Sequence, residues 1–144
     1  MNENFKVVIK HLAVTKKEKV KKVSETILFE AVNFSDAETK ANEMIEEQGL
    51  KEAIVHSIVK TFFSEIIEDP DGSHFFEAVV KESFENDKGK VQVINVKSLI
   101  KGSSISQVSQ VVNKLYESST ISYTIQSVKK SSILNYFKSV GEEE

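Results

Sequence analysis

Apolar and polar residues alternate over residues 5–14 and again over residues 20–31, with the period of two that is typical of β-strands. Phe5, Val7 and Ile9 form the apolar side of the first run. A short lysine-rich segment separates the two runs, so we predict that they pair as a β-hairpin.

The period then changes to that of a helix. Ser35 and Glu38 have the spacing of a capping box, in which each side chain bonds the backbone N–H of the other residue, so we predict that the helix begins there. Gly49 is the expected stop, because glycine adopts the left-handed conformation without steric cost. Residues 53–63 read as a third strand, and residues 64–67 as its continuation or a helical turn. The helix face predicted to be apolar comprises Ala37, Ala41, Met44 and Ile45.

The segment EDPDGS at residues 68–73 is a turn by its chemistry, and the same order of elements follows it. The second set comprises a strand that includes Phe76, Ala78 and Val80, a turn at 86–89, a strand at 91–100, a helix capped by Ser104 or Ser106, and a strand at 121–130.

The two sets of elements match at a spacing of 71 residues through the helix and of 70 residues after it. We therefore predict an internal duplication with repeats at about 1–69 and 74–140. The predicted fold class is α+β: two pseudo-twofold-related β-β-α-β repeats that form one compact domain over residues 1–144, with antiparallel hairpins, two helices and an acidic tail at 141–144.

The same spacing predicts which side chains are largely buried. They are Val7, Ile9, Ile27, Phe29, Ala41, Ile45, Ile58, Ala78, Val80, Leu99, Ile100, Val112, Tyr116 and Val128.

The amino-acid composition excludes several kinds of site and several classes of protein. The chain has no cysteine, so it has neither disulfides nor thiolate metal sites, and no apolar run is long enough to cross a bilayer. All 19 basic residues are lysine, which removes the bidentate fork that arginine offers to guanine edges and phosphates. We expect a cytoplasmic protein that does not read DNA sequence.

Residues that could carry out catalysis are scattered. His11, His56 and His74 lie on different predicted elements, at no metal-ligand spacing. The acidic turn at 68–73 could hold a hard cation but lacks the ligand spacing of a calcium loop, and Gly102 precedes a helix without the lysine of a phosphate-binding loop. We therefore expect no enzyme, no metal and no cofactor.

Charge is segregated along the chain. Residues 1–24 hold seven lysines against two glutamates, and residues 25–50 hold seven acids against one lysine. Two lysine-bearing hairpins could line a basic groove for single-stranded nucleic acid, with Phe75, Phe84 or Tyr123 as stacking surfaces and the terminal glutamates 142–144 as competitors. The candidate binding residues are Lys10, Lys16, Lys17, Lys19, Lys21, Lys22, Phe75, Lys81, Lys90, Lys97 and Lys101.

Two other interpretations stay open. Lysine is the ordinary solvent-facing residue of a strand, where it prevents aggregation of sheet edges. Exposed hairpins also suit strand addition to a partner, which would make the protein an interaction module such as a phage accessory factor or an inhibitor of a host protein. Pairing of sheet edges between copies predicts a homo-oligomer.

Three segments carry a family resemblance: AVNFSDAE at residues 31–38, SIVKTFFSEII at 57–67 and SVKKSSILNYF at 127–137. In these segments the chain resembles small uncharacterised proteins of Bacteroidetes and their phages, including crAss-like phages. The resemblance covers most of the chain. It implies a bacterial or phage setting inside the host cell, and it implies no catalytic residue because the family has no established activity.

Overall fold

The computed structural model describes residues 2–139. Within them the chain forms two helices and eight strands in two four-stranded sheets, which confirms the predicted α+β class. The chain divides into two compact units: one holds the residues up to Thr61 and those from Ser132 onward, and the other is Phe62–Ser131. The elements are β1 Glu3–Val14, β2 Val20–Ala31, α1 Phe34–Gln48, β3 Lys51–Thr61, β4 Glu65–Glu68, β5 His74–Glu85, β6 Val91–Gly102, α2 Ile105–Leu115, β7 Ser122–Lys130 and β8 Ile133–Phe137.

The first unit is a sheet of order β3-β1-β2-β8 with α1 packed on one face. β1 and β2 form the predicted hairpin, paired from Glu3 opposite Ala31 to Val14 opposite Val20. Alternation sends every second side chain of β1 to the helix side, where it meets α1. The buried cluster there comprises Val7, Ile9, Ile27, Phe29, Ala41 and Met44.

The start of α1 differs from the prediction. The helix begins at Phe34, and the N-cap is Asn33, whose side chain accepts a hydrogen bond of 2.8 Å from the backbone N–H of Asp36. Asp36 in turn accepts from the backbone N–H of Val32 at 2.9 Å. The expected cap at Ser35 is therefore wrong, since Ser35 already lies inside the helix. Gly49 ends the helix in the left-handed conformation, at φ 62°, as predicted.

The second unit repeats this arrangement, with sheet order β4-β6-β5-β7 and α2 on one face. β5 and β6 pair from His74 opposite Gly102, each 71 residues beyond its counterpart in the first hairpin. The pairing with the edge strand also matches between the units. The register shift between Val8 and Ile9, where β1 pairs with β3, recurs between Val79 and Val80, where β5 pairs with β7.

The cap of α2 has the same design as that of α1. Ser104, one of the two predicted caps, accepts from the backbone N–H of Gln107 at 3.1 Å. The side chain of Gln107 accepts from the backbone N–H of Ser103 at 3.1 Å. These three residues lie 71 positions after Asn33, Asp36 and Val32.

Two short strands alter the predicted β-β-α-β repeats. Residues 65–68 neither continue the third strand nor turn helical: they form β4, which pairs in parallel with β6. Residues 133–137 form β8, which pairs in parallel with β2. Each half of the sequence is therefore β-β-α-β-β, and its last strand completes the sheet whose other strands come from the other half.

Ten of the fourteen residues predicted to be largely buried are buried, and the other four are only partly buried. Val7, Ile9, Ala41, Ala78, Leu99 and Ile100 are fully buried, and Ile27, Phe29, Val80 and Val112 nearly so. The four partly buried positions are Ile45, Ile58, Tyr116 and Val128.

Candidate functional site

The first hairpin continues beyond the sheet that supports it. β3 pairs with β1 only as far as Leu12, and β8 pairs with β2 only from Thr26 to Phe29. Beyond Leu12 the hairpin is therefore a two-stranded ribbon, with no further strand of the described chain on either side. We call residues 10–22, which include the end of β1, the turn and the start of β2, the basic ribbon.

The turn of the basic ribbon is held by local hydrogen bonds. The backbone N–H of Thr15 donates to the carbonyl of Lys19 at 2.8 Å, and that of Glu18 donates to the carbonyl of Thr15 at 2.8 Å. Glu18 has φ 60°, a left-handed conformation that closes the turn. The turn lysines are thus presented on an ordered loop at the end of the ribbon.

All the predicted lysines of the basic ribbon are exposed to solvent, and none forms an ion pair within the part of the chain that the structure describes. Glu18 is the single acid among residues 10–22, which gives this segment a net charge of +5 with histidine neutral. Such a concentration of unpaired cations favours binding of a polyanion. The lysines concerned are Lys10, Lys16, Lys17, Lys19, Lys21 and Lys22.

The base of the basic ribbon has a concave surface. Lys10 and Lys22 line a pocket of ≈ 370 Å³ together with Leu12, Ser24 and Glu52. Lys10 lies opposite Ser24, and Leu12 lies opposite Lys22, so these four side chains project from one face of the paired strands.

His11 fixes the opposite face of the ribbon. His11 is 8% exposed, and its Nε2 lies 2.5 Å from Oε2 of Glu25 on the neighbouring strand. The contact holds the Glu25 carboxylate to the imidazole of His11. His11 therefore has a structural role at the base of the ribbon, consistent with its prediction as a strand residue.

The second hairpin does not have the same charge. Lys81 and Lys90 are exposed, but the segment 81–90 contains three lysines and three acids, Glu82, Glu85 and Asp87. Its turn is organised by Asn86, whose side chain accepts from the backbone N–H groups of residues 88 and 90. This hairpin shares the register of the first, but its end, residues 81–90, carries no net charge.

Three further predicted residues are engaged within their own unit. Lys97 is only half-exposed: its Nζ lies 3.9 Å from Oε1 of Glu77 and 5.2 Å from the ring centroid of Phe63. Lys101 is also partly buried, with its Nζ 5.8 Å from the ring centroid of Phe75. Phe75 itself is 2% exposed, so its prediction as a stacking surface is wrong.

The other aromatic candidates differ in exposure. The ring of Tyr123 is stacked on Tyr116 with centroids 4.3 Å apart, and its hydroxyl donates to Oδ1 of Asn113 at 2.7 Å. Phe84 is 40% exposed. Phe62, which the alternating pattern does not distinguish from a core residue, is 81% exposed.

The acidic turn is stabilised by its own side chains. Asp69 Oδ1 accepts from the backbone N–H of Asp71 at 2.9 Å, and Asp69 Oδ2 lies 3.4 Å from Nε2 of Gln107. Among residues 2–139 no group of three or more histidines or acids has the geometry of a metal site.

The terminal glutamates 142–144 and the rest of the predicted acidic tail lie outside the described residues. Across residues 2–139, neither helix has the length and apolarity required to span a membrane.

Comparison with known proteins identifies a family but no activity. A family model described as "Domain of unknown function (DUF4494)" matches residues 3–139. A search of curated proteins finds no match to the chain.

Proposed function

We propose a function for this chain, which belongs to the DUF4494 family, whose description assigns no activity. From its geometry we infer a non-catalytic binding protein that holds single-stranded nucleic acid without sequence preference. The observation that supports this proposal is the basic ribbon, where six exposed lysines form no ion pair with any carboxylate of residues 2–139. Lysine is a flexible point charge, so it neutralises phosphates without reading bases.

The end of the ribbon also favours single strands over duplexes. Val14 and Val20 face each other across the hairpin and are 71% and 65% exposed. Apolar side chains beside lysines can contact bases that are unstacked, whereas a duplex hides those surfaces. The contribution of aromatic stacking is smaller than the sequence predicts, because Phe75 is buried.

Salt dependence tests the proposal, because each neutralised phosphate releases condensed counterions. Five lysine contacts to a single strand would lower the binding constant about 100-fold between roughly 50 and 200 mM salt. We expect fluorescence anisotropy with a labelled oligonucleotide to show this loss, and to show weaker binding by a duplex of equal length.

The two hairpins supply a matched pair of variants. Replacing Lys16, Lys17, Lys19, Lys21 and Lys22 with glutamine should abolish the steep salt dependence. Replacing Lys81, Lys88 and Lys90, which lie in the segment 81–90 that has no net charge, should leave affinity nearly unchanged. Equal loss in both variants, or no binding at low salt, would refute the assignment to the basic ribbon. A chain that ends at Ser139 should bind more tightly if the terminal glutamates compete with nucleic acid.

A second candidate function is binding of a protein by strand addition. β3 is an 11-residue strand at the edge of its sheet, and it exposes Ile54 and Val59 to 58% and 56%. An unpaired strand edge with apolar side chains can accept a strand from a partner or from a second copy of the chain. Such binding would depend little on salt, so the same titrations separate it from the first proposal.

Origin and setting complete the proposal. An internal duplication is supported by the shared register, bulge and helix caps of the two units, all at a spacing of 71 or 70 residues. The resemblance to proteins of Bacteroidetes and their phages supports a role in phage or bacterial DNA metabolism in the cytoplasm of the host cell.

A further inference from the structure

The pocket at the base of the basic ribbon, which we call the ribbon pocket, combines apolar and charged groups. Leu12 and Ile54 contribute apolar surface, Lys10 and Lys22 contribute two cations, and Glu52 contributes a carboxylate. Its volume of ≈ 370 Å³ lies within the range of small-molecule sites. Within residues 2–139 none of the three charged side chains forms an ion pair. These charges are therefore available to a ligand.

Glu52 lies at an irregularity in β3. Lys10 is opposite Ile54 and Leu12 is opposite Lys51, so β3 has two residues where β1 has one. Glu52 has φ 45°, a left-handed conformation that costs free energy in a residue with a side chain. A β-bulge re-aims a side chain, and the side chain concerned here lines the ribbon pocket.

The second unit lacks this bulge. There Lys81 is opposite Thr124 and Ser83 is opposite Ser122, with Tyr123 between them in continuous register. The first unit therefore has one additional residue at this point. That residue accounts for the change in spacing from 71 to 70 residues, which falls within β3 rather than in the loop before it.

The lining of the ribbon pocket also differs between the units. At the positions of Leu12, Lys22 and Ile54 the second unit has Ser83, Val93 and Thr124. Lys10 alone keeps its residue type, as Lys81. The apolar surface, the second cation and the carboxylate thus belong to the first unit only. Because the second unit forms the same sheet without them, the fold does not require them, and a ligand is the reason that remains for the strained bulge.

We propose that the ribbon pocket holds one guanine nucleotide of the bound strand, with its base against Leu12 and Ile54 and its phosphate at Lys10 and Lys22. Guanine presents two adjacent N–H donors, at N1 and N2, which match the two oxygens of the Glu52 carboxylate. Adenine and cytosine present one amino donor beside a ring acceptor that the carboxylate repels. This inference rests on the proposed function, and it adds a preference at one position to backbone binding that is otherwise independent of sequence.

The charges of the ribbon pocket do not suit simpler ligands. An alkylamine would be repelled by both lysines. A fatty acid would place apolar surface well but would offer the Glu52 carboxylate no hydrogen-bond donor. A nucleotide supplies an anion, an apolar ring and N–H donors in one molecule, and bases of a single strand expose the edge that carries those donors.

Methyl NMR of the isotope-labelled full chain, titrated separately with GMP, IMP and ribose 5-phosphate, tests the proposal. IMP lacks only the 2-amino group of GMP, and ribose 5-phosphate lacks the base. We expect GMP to shift the methyl groups of Leu12 and Ile54. IMP should bind about fivefold more weakly, because one of the two bonds to the carboxylate is lost. Ribose 5-phosphate should leave these methyl groups unshifted.

Variants outside the buried core separate binding from folding, with binding followed at the backbone amides of β3. Glu52→Gln should bring GMP and IMP to nearly equal affinity. Leu12→Ser combined with Ile54→Thr introduces the residues of the second unit and should weaken GMP and IMP alike; Ile54 is 58% exposed. Lys81→Gln, at the position equivalent to Lys10, is the control and should change neither affinity.

Failure of this inference is distinguishable from failure of the proposed function. A thymidine strand that binds with steep salt dependence, and binds no tighter when one thymidine is replaced with guanosine, overturns the ribbon pocket and leaves the proposed function intact. GMP binding by a protein that binds no strand refutes the proposed function instead. Equal affinity for GMP and IMP, or no shift of Leu12 and Ile54 at high millimolar GMP, overturns the assignment of guanine to this pocket.

Discussion

Tyr116 connects the end of α2 to β5 through a hydrogen bond to Glu82. Burial first, and then the contact with Glu82, raise its pKa above the ordinary value of 10.0. Because the folded chain holds the phenol proton more tightly than the unfolded chain does, this stabilisation is fully present below about pH 10 and is lost as the pH rises further. We expect the free energy of unfolding in urea to fall as the pH rises above about 10, and to fall less in Tyr116→Phe.

Tyr123→Phe is the matched control for this measurement. Its hydroxyl donates to the neutral amide of Asn113, so its removal deletes a hydroxyl without removing a contact to a carboxylate. A pH dependence that is the same in Tyr116→Phe and in the unaltered protein would show that the contact with Glu82 does not affect stability.

The burial of a single residue was predictable where the alternation of its strand alone decided it. Val7 and Ile9 follow the alternation of a strand with one covered face, and both are buried as predicted. Phe75 and Phe76 are adjacent, so they point to opposite faces of β5, yet both are buried. Alternation alone therefore assigned Phe75 to an open face, and no local pattern reveals that this face is covered.

At the scale of elements, substitutions at the two helix N-termini test which residue caps each helix. Asn33→Ala should destabilise the protein by about 1 kcal/mol, because it leaves the backbone N–H of Asp36 without its acceptor. Ser35→Ala should cost much less, since this residue lies within the first turn of α1. Chemical denaturation of both variants measures the difference.

The second cap is the internal control for the first. Ser104→Ala removes the equivalent bond to Gln107 and should have a similar cost, whereas Ser106→Ala should have little effect. A larger loss from Ser35→Ala than from Asn33→Ala would restore the capping box predicted from the sequence. That prediction failed because two overlapping pairs, Asn33 with Asp36 and Ser35 with Glu38, both have the three-residue spacing of a cap.

Elements with local pairing were predictable, and elements with distant pairing were not. Both hairpins follow from alternation and turn residues within about thirty positions. β4 and β8 have four and five residues, too few to show a period, and each pairs in parallel with a strand of the other half. The basic ribbon was predictable for the same reason as its hairpin, because its lysines lie on β1, on β2 and in the turn between them.

At the scale of the whole molecule, neither half of the sequence contains a complete sheet. The sheet of the first unit includes β8 from the end of the described chain, and that of the second unit includes β4, which precedes the second half. The two units therefore cannot be separated by cutting the chain at the turn of residues 68–73. Contacts this far apart in sequence also predict slower folding than the hairpins alone would show.

Truncation tests this dependence. A chain that ends at Ser131 lacks β8 and loses the ring of Phe137, which is stacked on Phe29 at 5.3 Å. It also loses Ile133, which is 2% exposed. Removing a buried side chain of the size of Ile133 costs about 2 to 5 kcal/mol, so we expect the first unit to unfold at a much lower urea concentration.

A chain that ends at Ser139 is the control, because it keeps β8 and the bonds that Ser139 makes with Lys40 and Glu30. Backbone NMR spectra in urea would follow each unit separately. We expect the signals of residues 2–61 to be lost first in the shorter chain, and the control to unfold like the full chain. If both truncated chains unfold at the same midpoint, the pairing of β8 with β2 contributes nothing to stability, and each half of the sequence would fold without the last strand of the other.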